Sequence, residues 1–395
     1  MEAPIYLDHN ATAPLLPEVA DAMRACYDEP YLNPASQHEF GRRARRRLED
    51  ARERIGELVG ASMTGRNADA VIFTSGGTEA NNLAIRGLLQ RAERAGASPP
   101  PFSRIVISDL EHPSITALAD ELARTGTHVS RLPVDRHGVL RVADLPPLLQ
   151  SETRLVTAIL GHNETGVLQP VAEIAAICAE RNVPLQTDAS QVVGKLPVNF
   201  RALGATTMSF AAHKFHGPLG IGALVVRHGV QLTPQLFGGF QQAGLRPGTE
   251  SVALAVGMLT ALELWHAEQE VRRVRLTTLR DEFERTILAG WPDAIVIGAD
   301  VPRLPHTSNI AFVGLDRQAL FIALDQAGVA CSTGSACASG SSEPSPALVA
   351  MGLGEVVFSS ALRFSFGATT TAAEVAESSR RILHVCNDLR RHKQA

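Results

Sequence analysis

Between residues 70 and 227 short apolar runs recur along the chain: AVIFTSG (70–76), RIVISDL (104–110), RLVTAIL (154–160), VPLQTDA (183–189), TTMSFAA (206–212) and GALVV (222–226). They are rich in β-branched residues and do not alternate strictly between apolar and polar, a pattern that predicts strands covered on both faces. Segments of helical periodicity separate them near 81–95, 114–124 and 171–181. Strands alternating with helices predict an α/β core on a parallel or mainly parallel sheet. Upstream, Ala44, Leu48, Ala51, Ile55 and Leu58 share one helical face, so 41–59 reads as an amphipathic helix with its arginines outward. Downstream, about 249–288 reads as long helix. A strand-like HTSNIAFVG (306–314) and a helix near 371–391 then suggest a second, smaller domain.

With 395 residues, 45% hydrophobic and 20% charged, the chain has the balance of a soluble globular protein of two or three domains. A net charge of -4 gives no global attraction to nucleic acid or an anionic membrane, so the five arginines within 42–47 read as a solvated helix face. Cys26, Cys178, Cys331, Cys337 and Cys386 are odd in number and form no CxxC pair, which argues against a disulfide framework or a structural zinc and for a reducing, cytoplasmic setting. Neither a signal-peptide pattern nor an apolar run of ~20 residues is present, so a soluble protein is expected. One count is skewed: of 37 Lys and Arg residues only Lys195, Lys214 and Lys393 are lysines.

Lys393 lies in a polar tail and Lys195 in what reads as a turn before Leu196-Pro197, so both are expected to be surface charges. Lys214 follows a predicted strand, between His213 and His216, at the carboxyl end where open α/β sheets bind ligands. FTSGGTEANN (73–82) runs from a strand through Gly76-Gly77 into a helix start with Thr78, offering backbone N–H groups to a phosphate; it matches neither GxGxxG nor GxxxxGK[ST]. Asp188 ends another strand with Gln191 three residues on; it reads as a cap or ion-pair partner, or as the acid that keeps a pyridine nitrogen protonated. Phosphate turn, acid and lysine at successive strand ends together suggest pyridoxal 5'-phosphate (PLP). His112 reads as a structural histidine or as one that stacks on such a ring and shuttles protons. Asn163 and Arg363 are candidates to hold a substrate carboxylate. In CSTGSACASGSSEPSP (331–346), Cys337 sits among small polar residues, as on an exposed, mobile arm, whereas Cys331 reads as a strand-end core residue.

Taken together, YLDHNAT (6–12), NPAS (33–36), SGGTEANNLAI (75–85), EHPSI (111–115), HNETGVLQP (162–170), TDASQ (187–191), HKFHGP (213–218), RPGTE (246–250), GSAC (334–337), EPS (343–345) and RFSFG (363–367) resemble the cysteine desulfurases of the nitrogen-fixation and iron–sulfur-assembly type, class V of the fold-type I PLP enzymes. The likeness runs nearly end to end. It implies a large PLP-binding domain over 14–259, with a mainly parallel seven-stranded sheet between helices. A smaller α+β domain over 1–13 and 260–395 would carry the cysteine loop. It also implies that Lys214 forms the internal aldimine, His112 stacks on the ring, Asp188 meets the pyridine nitrogen and Gln191 the phenolic oxygen. Gly77, Thr78 and His213 would bind the phosphate, with Thr249 reaching across from a second subunit of a homodimer. Asn163 and Arg363 would fix the carboxylate of L-cysteine.

By the same resemblance Lys214 takes the Cα proton, the Cys337 thiolate attacks the substrate sulfur, and alanine leaves behind a persulfide, with His112 as acid–base partner for the thiol protons. A sulfur acceptor or iron–sulfur scaffold protein is the implied partner. Another class V reaction, selenocysteine lyase or aminotransferase, and a non-catalytic binding protein on the same fold are the alternatives. Three departures stand out: Ala211 in place of the family's Ser or Thr, Leu219 in place of a frequent Lys, and FQQAGLRPGTE in place of a more polar run. Loss of one phosphate hydroxyl at Ala211 is expected to cost about 1 kcal/mol.

Overall fold

The computed structural model describes residues 3–29, 32–94, 103–334 and 344–394. The chain begins with a short strand, β1 (Ile5–Tyr6), and then builds its central sheet from β2 (Ala70–Thr74), β3 (Arg104–Ser108), β4 (His128–Leu132), β5 (Thr153–Thr157), β6 (Leu185–Asp188), β7 (Thr207–Ala211) and β8 (Gly222–Val226). The order is β2-β8-β7-β6-β5-β3-β4. Every pair is parallel except those of β8, which runs antiparallel to both β2 and β7. The carboxyl ends of β2, β3, β5, β6 and β7 therefore open on one edge of the sheet. All residues of β6, β7 and β8 are buried, as in strands covered on both faces.

Helices Gly77–Arg94, Pro113–Arg124 and Val171–Glu180 link successive strands. In Glu39–Leu58 the residues Ala44, Leu48, Ala51 and Ile55 are buried, and the arginines of 42–47 are exposed, the solvated face expected of them. The stretch expected to be one long helix is two, Val252–Ala267 and Gln269–Gly290, joined at Glu268 (φ -119°, ψ 15°). The two halves serve different cores. Val252–Ala267 is buried nearly all round, with Trp265 in the first core, whereas Gln269–Gly290 turns Leu276, Leu279, Phe283 and Ile287 into the second.

That second core gathers around a three-stranded antiparallel sheet. Its strands β9 (Ala294–Val296), β10 (Thr307–Phe312) and β12 (Ala361–Ser365) flank in sequence β11 (Val329–Ala330), which pairs in parallel with β1. Ile5 and Leu7 are buried in this core with Phe312, Phe364 and Phe366. The N-terminal segment then crosses to the carboxyl edge of the central sheet, where Ala13 N donates to His213 O at 2.8 Å. Cys331, just after β11, is buried in the second core, as expected of a strand-end core residue. Among the described residues no helix is long and apolar enough to cross a membrane.

Candidate active site

Lys214 lies in the tight turn Ala212–Phe215 that follows β7. His216, which closes the turn, adopts φ 67°, a left-handed conformation secured by Pro14 O at 2.8 Å on Nδ1 and by Ala368 N donating to Nε2 at 2.9 Å. The turn aims Lys214 at the crossing N-terminal segment, where Nζ donates to Asn10 O at 2.8 Å and Ala11 O at 3.0 Å. His213 Nδ1 meets Thr12 Oγ1 at 3.1 Å.

Asp188, at the end of β6, is held from two sides: Asn81 Nδ2 donates to Oδ2 at 2.8 Å and Ser190 N to Oδ1 at 2.9 Å. Asn81 is fully buried and one helical turn beyond Gly77, so the helix that starts at the phosphate-type turn also orients the acid. Gly77 itself packs over the end of β7. A side-chain carbon there would stand 3.3 Å from Ser190 Oγ and 3.7 Å from Ala211 Cβ, so a residue with a side chain would crowd the turn. The Ser190 hydroxyl thus lies at the turn where Ala211 offers none. Thr78 is exposed beside it, and Arg246 pairs with Glu79 at 2.8 Å, drawing the loop that bears the exposed Thr249 toward this helix start.

His112 caps helix Pro113–Arg124, its Nδ1 accepting from Ser114 N at 3.1 Å. Burial lowers its pKa; Asp188 works against that and Lys214 adds to it. Its neighbour Glu111 is pushed up to about 8, first by burial and then, against its bonds from Ser108 and Thr157, by Asp188. Arg363 is 2% exposed on β12. Its guanidinium donates to Asp8 Oδ1 at 2.6 Å and Asn163 O at 3.0 Å, and its Nε–H is a buried donor with no partner among the described residues. Both terminal nitrogens of the fork are thus engaged, and Nε–H is the donor left over.

One expectation is corrected. Lys195 is not a surface charge: it is 7% exposed, and its Nζ donates to Gln191 Oε1 at 2.6 Å. Val192, Val193 and Leu196 belong in or against the first core, and they carry the turn inward with the lysine on it. Asn10 was also missed. Its main-chain oxygen receives Lys214 and, at 3.0 Å, Gln191 Nε2; its side chain donates to Asn163 O at 3.1 Å and meets His306 Nε2 at 2.8 Å. The signal was available, because Asp8, Asn10 and Thr12 all lie in the YLDHNAT segment. Cys337 lies outside the described residues.

Burial also sets a pH dependence. His9, His213 and His216 are each lowered to about 4, chiefly by desolvation. The unfolded chain takes up these protons near 6.5 and the folded chain only near 4, so stability is complete above about 6.5, declines as pH falls toward 4 and levels off below. For buried His9 and His216 the loss is at most roughly 3.5 kcal/mol each at ~1.4 kcal/mol per unit. The thermal midpoint is expected to fall steeply from pH 6.5 to 4.5; a midpoint flat across that range would contradict neutral burial of these rings.

The chain matches the model of the aminotransferase class-V family over residues 5–377 and belongs to that family, whose members use PLP. Within it the chain is 38% identical to a cysteine desulfurase IscS of Dictyoglomus turgidum over 95% of its own length and 92% of the relative's. It is 40% identical to an IscS-like cysteine desulfurase of Mycobacterium tuberculosis (94% and 93%) and 35% identical to the cysteine desulfurase NifS of Azotobacter vinelandii (98% and 94%). A solved NifS-like protein from Rickettsia africae superposes with a TM-score of 0.86 at 29% identity, covering 97% of this chain and 99% of that one. The chain is a member of the cysteine desulfurases, and the seven-stranded, mainly parallel sheet is that of the fold-type I enzymes.

Proposed function

We propose that this chain binds PLP at Lys214 and uses it to move sulfur from L-cysteine to Cys337, for onward delivery to an acceptor such as an iron–sulfur scaffold. The observation that carries the reading is the placing of Lys214 Nζ on the Asn10 and Ala11 carbonyls, with Gln191 on the same Asn10 oxygen. The surroundings fit the group. Asp188 is an oriented carboxylate for a pyridine nitrogen, and His112 caps the neighbouring helix as a candidate to stack on the ring. Gly77, Thr78 and His213, with the Ser190 hydroxyl nearby, suit a phosphate. Bound PLP supplies an electron sink for the Cα–H bond of the substrate.

The remaining work falls to the chain. Arg363 and Asn163 hold the substrate carboxylate, the guanidinium being kept in place by Asp8 and by the Asn163 carbonyl. Lys214 Nζ takes the Cα proton. His112, kept neutral by burial, accepts or returns the thiol protons. The Cys337 thiolate attacks the substrate sulfur: an S–S bond forms, the Cβ–S bond breaks with its electron pair returning to the carbon skeleton, and protonation of that skeleton yields alanine.

A homodimer with Thr249 completing the partner's phosphate site is consistent with Phe237 and Phe240, 84% and 95% exposed in the segment that leads to Thr249, and mass in solution checks it. The PLP-loaded protein is expected to form alanine from L-cysteine, and visible absorbance reports the cofactor. Alanine formed from L-selenocysteine but not from L-cysteine would overturn the substrate assignment; a protein that stays colourless after addition of PLP would overturn the cofactor.

A further inference from the structure

Two of the three lysines meet at this site. Lys195 lies four residues after Gln191, and the carbonyl of Asn10 that receives Gln191 Nε2 also receives Lys214 Nζ. Gln191 is buried as well. Its amide is fixed from both ends. The Asn10 carbonyl can only accept, so Nε2 must face it, and Oε1 then faces Lys195 Nζ and takes a hydrogen from it. One Nε2 hydrogen remains after the bond to Asn10.

Packing gives no reason for an amine at position 195. The charges acting on it are the cations Lys214 and Arg363, which together with burial disfavour a charge there. It lines a cavity behind Lys214 with His9, His216, His306 and Arg272. Beside Val192, Val193 and Leu196 an apolar side chain would be desolvated at lower cost. What an apolar side chain could not do is donate to Oε1, which would be left buried without that hydrogen.

We propose that Lys195 is a positioning residue for the PLP site: by donating to Oε1 it holds the Gln191 amide with Nε2 toward Asn10 and Lys214, leaving the second Nε2 hydrogen for the phenolic oxygen of the cofactor. This rests on the reading that PLP is bound at Lys214. A donor on that oxygen favours its anionic form, so its loss raises the pH at which the PLP chromophore deprotonates.

The test is an absorbance titration of PLP-loaded wild type and Lys195→Met, which keeps an unbranched side chain and removes the donor. The colour-change midpoint is expected to rise by about 0.5–1 pH unit. In a Gln191→Leu background the further change Lys195→Met is expected to add nothing, because Lys195 acts through that amide. An unchanged midpoint in Lys195→Met, or a shift that persists undiminished without Gln191, overturns the proposal. Wild type without a visible band would instead sink the PLP reading itself. Should Lys195→Met not fold, a crystal structure of the PLP-loaded wild type decides. Nζ within about 3.2 Å of Gln191 Oε1 supports the proposal, and Lys195 turned away from Gln191 overturns it.

Discussion

Lys214→Arg is expected to lose alanine formation from L-cysteine by at least about 10³-fold, as fully as Lys214→Ala, since proton transfer by a placed base alone is worth roughly 10²–10⁴-fold. The comparison isolates chemistry from placement. A guanidinium can still donate to Asn10 O and Ala11 O, the two acceptors that fix Nζ, so the turn after β7 keeps its contacts. It cannot deprotonate near neutral pH, which the proposed reaction requires of the lysine, both to bond the cofactor and to take the Cα proton. Steady-state alanine release, read beside the visible band, measures both roles. Retention of more than a tenth of the activity in Lys214→Arg would remove Lys214 from the reaction.

Cys337→Ser is expected to abolish sulfur transfer, with a fall in rate of at least about 10³-fold, while PLP binding, read from the visible band, is unchanged. The structure supports this choice through the other cysteines. Cys26, Cys178, Cys331 and Cys386 are all buried, and burial pushes each thiol up, Cys178 and Cys386 to about 12. A nucleophile must be a thiolate that can leave the protein interior, and those four are held as neutral thiols in the cores. Cys331→Ala is therefore expected to transfer sulfur at close to the parent rate once folded. Loss of transfer in Cys331→Ala with transfer intact in Cys337→Ser would reverse the assignment.

Six of the seven strands of the central sheet were legible because they are covered on both faces, whereas the edge strand β4, with His128 and Arg131 exposed, was not read. Val106, Val156, Met208 and Leu224 are fully buried, and unalternating apolar runs have few other uses in a soluble chain. The ends of those strands followed, and with them Lys214, Asp188, Gly77 and His112. Harder to read were polar groups whose partners lie far away in sequence. Asn10 is separated from Lys214 by 204 residues and from His306 by 296, and nothing local to YLDHNAT tells which of its polar atoms are spoken for. Lys195 was misread because the following Leu196-Pro197 marks a turn and turns usually lie at the surface. The apolar residues on either side of it were the contrary signal. The break at Glu268 carries neither Gly nor Pro; it exists because two cores lie in different directions, a tertiary fact without a local code.

Passage of sulfur from L-cysteine to Cys337 is read from mass. The PLP-loaded protein is incubated with L-cysteine, the acceptor is withheld, and the peptide containing Cys337 is weighed after digestion under non-reducing conditions. A gain of one sulfur atom on that peptide is expected, removed by a reducing agent and missing from Lys214→Ala. Alanine formed in step with turnover, with the Cys337 peptide unmodified throughout, would contradict it.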